Sequence, residues 1–267
     1  MVLGFVGFGE VSSCFARGFF ETGQVTMFAY DVDYERAKKL SASIGGFVTI
    51  VGTLEDLFSK THNIIVAVPS RFNESCFDAI FQCQQEKLLL MDFSSSLPDM
   101  KRRISAKAAS CRCRYIDVAV MGSVPKLLHK TPLYISGLNS HDMVGLFSNL
   151  QMTIKIKGEE VGDASTIKLC RSVYMKGLAG LLLETQKVCD EFGVKEDVFQ
   201  SIAVNLDNQP FMQYSERLIN GAIKHSIRQR DEVDECLQMM KPKGIEGEMT
   251  KATLNVFNDL IDEQSKR

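Results

Sequence analysis

Short apolar runs alternate with amphipathic stretches over the first 162 residues, and this alternation restricts the fold more than any other feature of the chain. The runs Val2–Val6, Val25–Tyr30, Phe47–Val51, Asn63–Val68, Lys87–Met91, Arg114–Val118, Pro132–Ser136 and Thr153–Lys157 have the length and residue types of strands. Between them, Glu10–Glu21, Tyr34–Ala42, Asn73–Cys83 and Pro98–Ala109 carry helical periodicity. Strand and helix in strict succession predict a doubly wound, mostly parallel sheet covered by helices. Beyond Gly162 the β-branched runs disappear and 3.6-residue spacing takes over, with Ala164–Phe192 reading as one long helix that ends before Gly193. The expected fold class is therefore α/β then all-α. A Rossmann-type domain occupies residues 1–162 and a helical domain residues 163–267.

Composition removes several classes of function. With 31 Lys and Arg against 33 Asp and Glu among 267 residues, the net charge is −2, so no field exists for coating a polyanion. A hydrophobic fraction of 45% excludes a disordered chain. The longest apolar runs, such as Ile64 to Pro69, fall far short of the roughly 18 residues of a membrane span. No basic residue precedes Arg17, so the charged flank of a secretory signal is missing and a cytoplasmic location is expected, without membrane or nucleic-acid partners. Eight cysteines scattered through apolar contexts then read as reduced thiols, and neither they nor the four histidines have metal-ligand spacing, so no metal is expected.

The strongest local signal is Gly7-Phe8-Gly9-Glu10-Val11-Ser12, directly after the first strand and opening a helix. The first glycine permits a tight turn, the second lets backbone approach a pyrophosphate, and the helix start offers free N–H groups to it. Residues Gly7, Phe8, Gly9, Glu10 and Val11 are thus the candidate dinucleotide cradle, with Ser12 where glycine or alanine is usual. Asp31 ends the second strand, placed for the ribose hydroxyls of NAD; its charge disfavours the 2′-phosphate of NADP, although Arg36 lies nearby. NAD or NADP is the expected cofactor, with NAD favoured. A bland alternative makes Asp31 only the cap of the following helix. Val68 and Pro69 end the fourth strand, and Ser94, Ser95 and Ser96 follow the fifth, where open sheets place their ligands. Ser96, just before Pro98, also suits a helix cap.

Four segments carry a family resemblance: Gly7-Phe8-Gly9-Glu10-Val11, Asp92-Phe93-Ser94-Ser95-Ser96-Leu97-Pro98, Asp117-Val118-Ala119-Val120-Met121-Gly122-Ser123 and Gly162-Asp163-Ala164-Ser165-Thr166-Ile167-Lys168. In order and spacing they resemble the β-hydroxyacid dehydrogenases, which include 3-hydroxyisobutyrate and 6-phosphogluconate dehydrogenases. The run from Ala164 to Gly177 is more similar to the branch whose C-terminal domain is labelled as of unknown function. His225, Arg228 and Arg230 resemble that branch's basic motif.

The resemblance implies that Lys168 is the catalytic general acid/base, that Ser95 lies near the nicotinamide, and that Gly122 and Ser123 face the substrate. Burial against the cofactor would lower the lysine's pKa from its usual value of about 10.4 toward working pH. Ser172 stands on the same helical face as Lys168, four residues on, where many relatives have Asn. Met121 and Ser123 also depart from the family's substrate loop. The implied activity is NAD(P)-dependent oxidation of a small β-hydroxy acid or related 3-hydroxy compound. Arg230 is a candidate partner for the anionic substrate. An imine or ketone reductase of similar build is the alternative, against which Lys168 speaks because such reductases often carry another acid there. A non-catalytic NAD(P)-binding protein is a further alternative. Apolar faces such as Leu178, Leu181, Leu182 and Leu183 make the helical half a substrate and dimerisation domain, and a homodimer is expected.

Overall fold

The computed structural model describes residues 1–207 and 209–266. The chain divides into two compact units, Met1–Arg171 and Ser172–Arg267. In the first unit β1 (Val2–Val6) leads to α1 (Glu10–Glu21), β2 (Thr26–Tyr30), α2 (Tyr34–Ser43), β3 (Val48–Ile50), α3 (Leu54–Lys60) and β4 (Asn63–Val66). There follow α4 (Asn73–Gln82), β5 (Leu89–Asp92), α5 (Pro98–Ser110), β6 (Arg114–Val120), α6 (Val124–Leu127), β7 (Leu133–Ser136), α7 (Ser140–Leu146) and β8 (Ile154–Gly158). The thirty-residue helix α8 (Asp163–Phe192) begins in the first unit and continues into the second.

The eight strands form one sheet in the order β3-β2-β1-β4-β5-β6-β7-β8. Every neighbouring pair is parallel except β6 and β7, which run antiparallel. This is the doubly wound architecture that the strand–helix alternation predicts. Individual strands differ at their ends. After β4 the Ala67 N–H still reaches the Val6 carbonyl at 2.9 Å, but Pro69 has no N–H and the chain turns away through Ser70–Phe72. β6 instead runs two residues past expectation, because its pairing with β7 continues to Val120 opposite Leu133.

Strands covered on both faces must be apolar throughout, which is why β1, β4 and β5 read as continuous hydrophobic runs. On one face Phe5, Phe15 and Phe19 lie buried with Phe93 and Phe147; Phe15 meets Phe93 edge-on at 5.3 Å and Phe19 stacks on Phe147 at 5.7 Å. On the other, Leu57, Phe58, Phe77 and Ile104 pack over Ile64 and Leu90. Since β1 lies between β2 and β4, the chain leaves for opposite faces on its two sides, opening a crevice at the carboxyl ends of these strands.

The second unit contains the rest of α8 with α9 (Lys195–Leu206), α10 (Phe211–Lys224), α11 (Ser226–Met240) and α12 (Glu248–Ser265). Glu184 of α8 supplies the missing acceptors at the start of α12: its carboxylate takes the N–H groups of Met249 and Thr250 at 2.8 and 2.9 Å and the Thr250 hydroxyl at 2.6 Å. Among the described residues no helix is long and apolar enough to cross a membrane.

Candidate active site

The crevice beyond β1 and β4 encloses about 650 Å³ and is lined by Gly7, Gly9, Asp31, Arg36, Val68 and Pro69, among others. Its two glycines answer to different demands. Gly7 has φ +84°, and a Cβ there would stand 2.7 Å from the Ala67 carbonyl oxygen, so the turn itself requires it. At Gly9 a Cβ would meet nothing within 4 Å. Nothing inside the protein excludes a side chain at Gly9; what its absence leaves clear is the space before the first turn of α1. There the helix N–H groups lack intrahelical partners, and a pyrophosphate fits. Ser12, in the third position, turns its hydroxyl back to the Gly7 carbonyl at 2.6 Å and braces the turn.

Asp31 is buried, and both of its oxygens already accept hydrogen bonds. One carboxylate oxygen accepts the Phe8 N–H at 2.8 Å and Arg36 Nη2 at 2.7 Å, and the other accepts the Asp33 N–H at 2.9 Å. It is not the cap of α2; Asp33 is, accepting the Arg36 N–H at 3.1 Å. Phe8, in turn, places its ring in the core and its N–H on Asp31, so its part in the cradle is to fix Asp31. Glu10 is exposed and Val11 half-buried on the first turn of α1. Cys76 also lines the crevice, but burial and then the nearby Asp92 and Asp31 charges push its thiol up to about 12, so it carries no nucleophile.

At the ends of β5 and β6 the structure brings Lys168 and Ser95 together. Lys168 Nζ donates to Ser95 Oγ at 2.6 Å. Withdrawal from water, reinforced by the positive charge of Lys101, lowers the Lys168 pKa to about 8; Asp117 and Asp92 act in the opposite sense and Arg171 adds to the lowering. An amine titrating there exchanges a proton near neutral pH. Gly122 and Ser123 lie exposed just after β6. Ser96 does not cap α5: its hydroxyl is buried against that of Ser94 at 2.9 Å, and the helix starts after Leu97 with Pro98, whose missing N–H needs no acceptor. Ser172 and Arg230 belong to the second unit, where Arg230 pairs with Asp231 at 3.1 Å.

Beneath Lys168 is a buried ionic cluster that sequence reading missed. Lys101 is fully buried, and its Nζ donates to Asp117 Oδ1 at 2.7 Å and to the Asp92 carbonyl at 3.0 Å. Asp92 also accepts from Tyr115 Oη at 2.5 Å, Asn73 Nδ2 at 3.0 Å and the Ser94 N–H at 2.9 Å. Burial opposes ionisation of Asp117, but Lys101 and the donors of Ser165 outweigh it and hold the carboxyl below its ordinary range. Tyr115, buried beside Asp92, is held well above the ordinary phenol value. In sequence Lys101 sits within Met100-Lys-Arg-Arg103 and looks like part of a solvated face; only its phase on α5, shared with buried Ile104 and Ala108, separates it from Arg102 and Arg103.

Residues 2–141, a little over half of the chain, match the family described as the NAD binding domain of 6-phosphogluconate dehydrogenase. Residues 190–260 match a family described as a domain of unknown function, DUF1932. An uncharacterised 28.5 kDa protein in the 7S RNA 5′ region of Methanothermus fervidus is 26% identical over 261 residues, covering 97% of this chain and 99% of that protein. Among solved structures, conserved protein MTH1747, described as similar to 3-hydroxyacid dehydrogenases, aligns with TM-score 0.63 and 24% identity over 99% of this chain and 98% of its own. An imine reductase variant from Myxococcus stipitatus in complex with NAD+ aligns with TM-score 0.79 and 17% identity over 98% and 94%. These structural likenesses define the fold.

Proposed function

The chain belongs to the family of the NAD binding domain of 6-phosphogluconate dehydrogenase, and from that premise we propose that it is an NAD(P)-dependent oxidoreductase acting on a small β-hydroxy acid or related 3-hydroxy compound. The observation that carries the reading is the 2.6 Å contact between Lys168 Nζ and Ser95 Oγ, made by an amine that titrates near pH 8. A nicotinamide bound there would supply the acceptor or donor of hydride. Gly7, Gly9 and the first turn of α1 would hold the pyrophosphate and Asp31 the adenosine ribose, with Val68 and Pro69 walling the crevice. Uncharged Lys168 would accept the substrate's hydroxyl proton in oxidation, and its ammonium would return that proton in reduction. Ser95 orients the amine, and Gly122 and Ser123 are the first unit's substrate-facing residues. Arg230, whose Nε is buried without a hydrogen-bond partner among the described residues, is the second unit's candidate for an anionic group.

Residues 1–162 would carry the cofactor and 163–267 the substrate and self-association surfaces, with the first turn of α8 packed into the cofactor-binding unit through Ser165. A second reading, reduction of an imine, is favoured by the likeness to the Myxococcus imine reductase and would use the protonated form of Lys168 as donor. Both readings meet one test: Lys168→Met assayed with NAD and NADP against panels of 3-hydroxy acids and cyclic imines. Loss of turnover by about a hundredfold or more, with cofactor binding intact, is expected for the panel the wild-type protein turns over. Turnover that persists in the folded variant removes the lysine from the chemistry.

A further inference from the structure

We infer that Lys101 and Asp117, a buried pair outside the proposed chemistry, are positioning residues that hold Lys168 against Ser95. A lysine withdrawn completely from water is costly, and replacing a buried ion pair by apolar residues is often neutral or stabilising, so stability alone gives little reason for the pair. Its connections give a better one. The Asp117 carboxylate on β6 accepts from Lys101 Nζ and Ser165 Oγ at 2.7 Å each, from the Ser165 N–H at 2.9 Å, and from the Gly162 N–H and Ser136 Oγ at 3.2 Å each. It thereby fastens the first turn of α8, and Lys168 follows Ser165 by three residues, on the next turn. From α5 the same Lys101 ammonium also holds the Asp92 carbonyl at 3.0 Å, where the loop carrying Ser95 leaves β5. One buried cation thus ties down both partners of the Lys168–Ser95 contact.

The charged groups acting on Lys168 are Lys101 from α5, Asp92 from β5, Asp117 from β6 and Arg171 from its own helix. Lys101 acts on it more strongly than Asp117 does. Neutralising Lys101 therefore releases the amine toward the ordinary lysine range. The inference rests on the reading of Lys168 as the acid/base, but its test does not require turnover.

The full-length protein is labelled with ε-13C-lysine and the Lys168 resonance, assigned by its loss in Lys168→Met, is titrated in the folded state. Lys101→Gln is expected to raise the midpoint by on the order of one pH unit. Lys101→Gln combined with Asp117→Asn, which removes one buried charge of each sign and leaves the Asp92 carboxylate to the Tyr115, Asn73 and Ser94 donors, is expected to raise it less, and this variant decides the matter where the single one fails to fold. Ile104→Val, a buried change on the same helix, controls for destabilisation and is expected to leave the midpoint at its wild-type value. Wild-type midpoints in both Lys101 variants would overturn the inference, as would an equal shift in Ile104→Val. Retained turnover in Lys168→Met would instead sink the catalytic reading and leave this titration standing.

Discussion

Asp31 and Lys168 stand in opposite states of engagement. Asp31 has both oxygens occupied, one of them by Arg36, which is half-exposed. A 2′-phosphate would meet a carboxylate already partly neutralised, so the choice between NAD and NADP depends on the balance of the two side chains. Asp31→Asn is expected to shift the ratio of NADP to NAD dissociation constants about tenfold toward NADP, and Arg36→Ala to shift it toward NAD, as read by isothermal titration calorimetry. Equal ratios in all three proteins would take the pair out of cofactor choice. Lys168 has one neutral partner and titrates near 8, so the direction of its pH effect depends on the direction of reaction. Oxidation uses the uncharged amine, and its kcat/KM is expected to rise as pH climbs through about 8; reduction uses the ammonium and falls over the same interval. Profiles without an inflection near that value would assign the proton transfer to another group. Gly7, Gly9, Asp31, Ser95 and Lys168 are all legible in the sequence because each belongs to a local motif or a segment of family text. Lys101 is not, because its burial is decided by the Asp92 carbonyl and the Asp117 carboxylate, nine and sixteen residues away on two different strands.

At the scale of elements, periodicity placed the eight strands and the long helix, since each has its hydrophobic phase written within its own residues. Their ends were less legible: β4 stops where Pro69 interrupts donation and β6 continues where a partner strand exists, and both depend on neighbours rather than on propensity. The packing of α1 shows the same dependence. Gly18 looks like an ordinary helical glycine, which alanine would stabilise by about 1 kcal/mol. A Cβ at Gly18 would lie 2.0 Å from His129 Nδ1 and 2.8 Å from the His129 backbone nitrogen. Gly18→Ala is therefore expected to destabilise the protein by about 2 kcal/mol, measured by urea unfolding. Gly177→Ala, where a Cβ meets nothing within 4 Å, is expected to be neutral or stabilising. If both variants behaved alike, the close approach of α1 to His129 would carry no energetic weight.

At the scale of the whole molecule, the second unit leaves much of its apolar surface uncovered. Leu183 on α8 is 71% exposed, and Met212 and Ile219 on α10 are 75% and 60% exposed. An apolar hollow of about 600 Å³ in the same unit, lined by Leu181, Phe192 and Met239 among others, adds to that surface. Light scattering is expected to give twice the 29.8 kDa chain mass, and Leu183→Glu with Met212→Glu to return it to one chain. A wild-type protein that runs as a monomer at micromolar concentration would remove self-association from the account.

The grip of Asp117 on Gly162 and Ser165 also decides where this gene can be cut. A fragment ending at the glycine, where composition changes, would strip the Ser165 donors from a carboxylate buried in the middle of the sheet and leave the Lys101 ammonium as its main support. The smallest expressible nucleotide-binding piece must therefore borrow the opening turns of the helix that follows it, and the boundary of its fold lies inside an unbroken rod rather than at a linker.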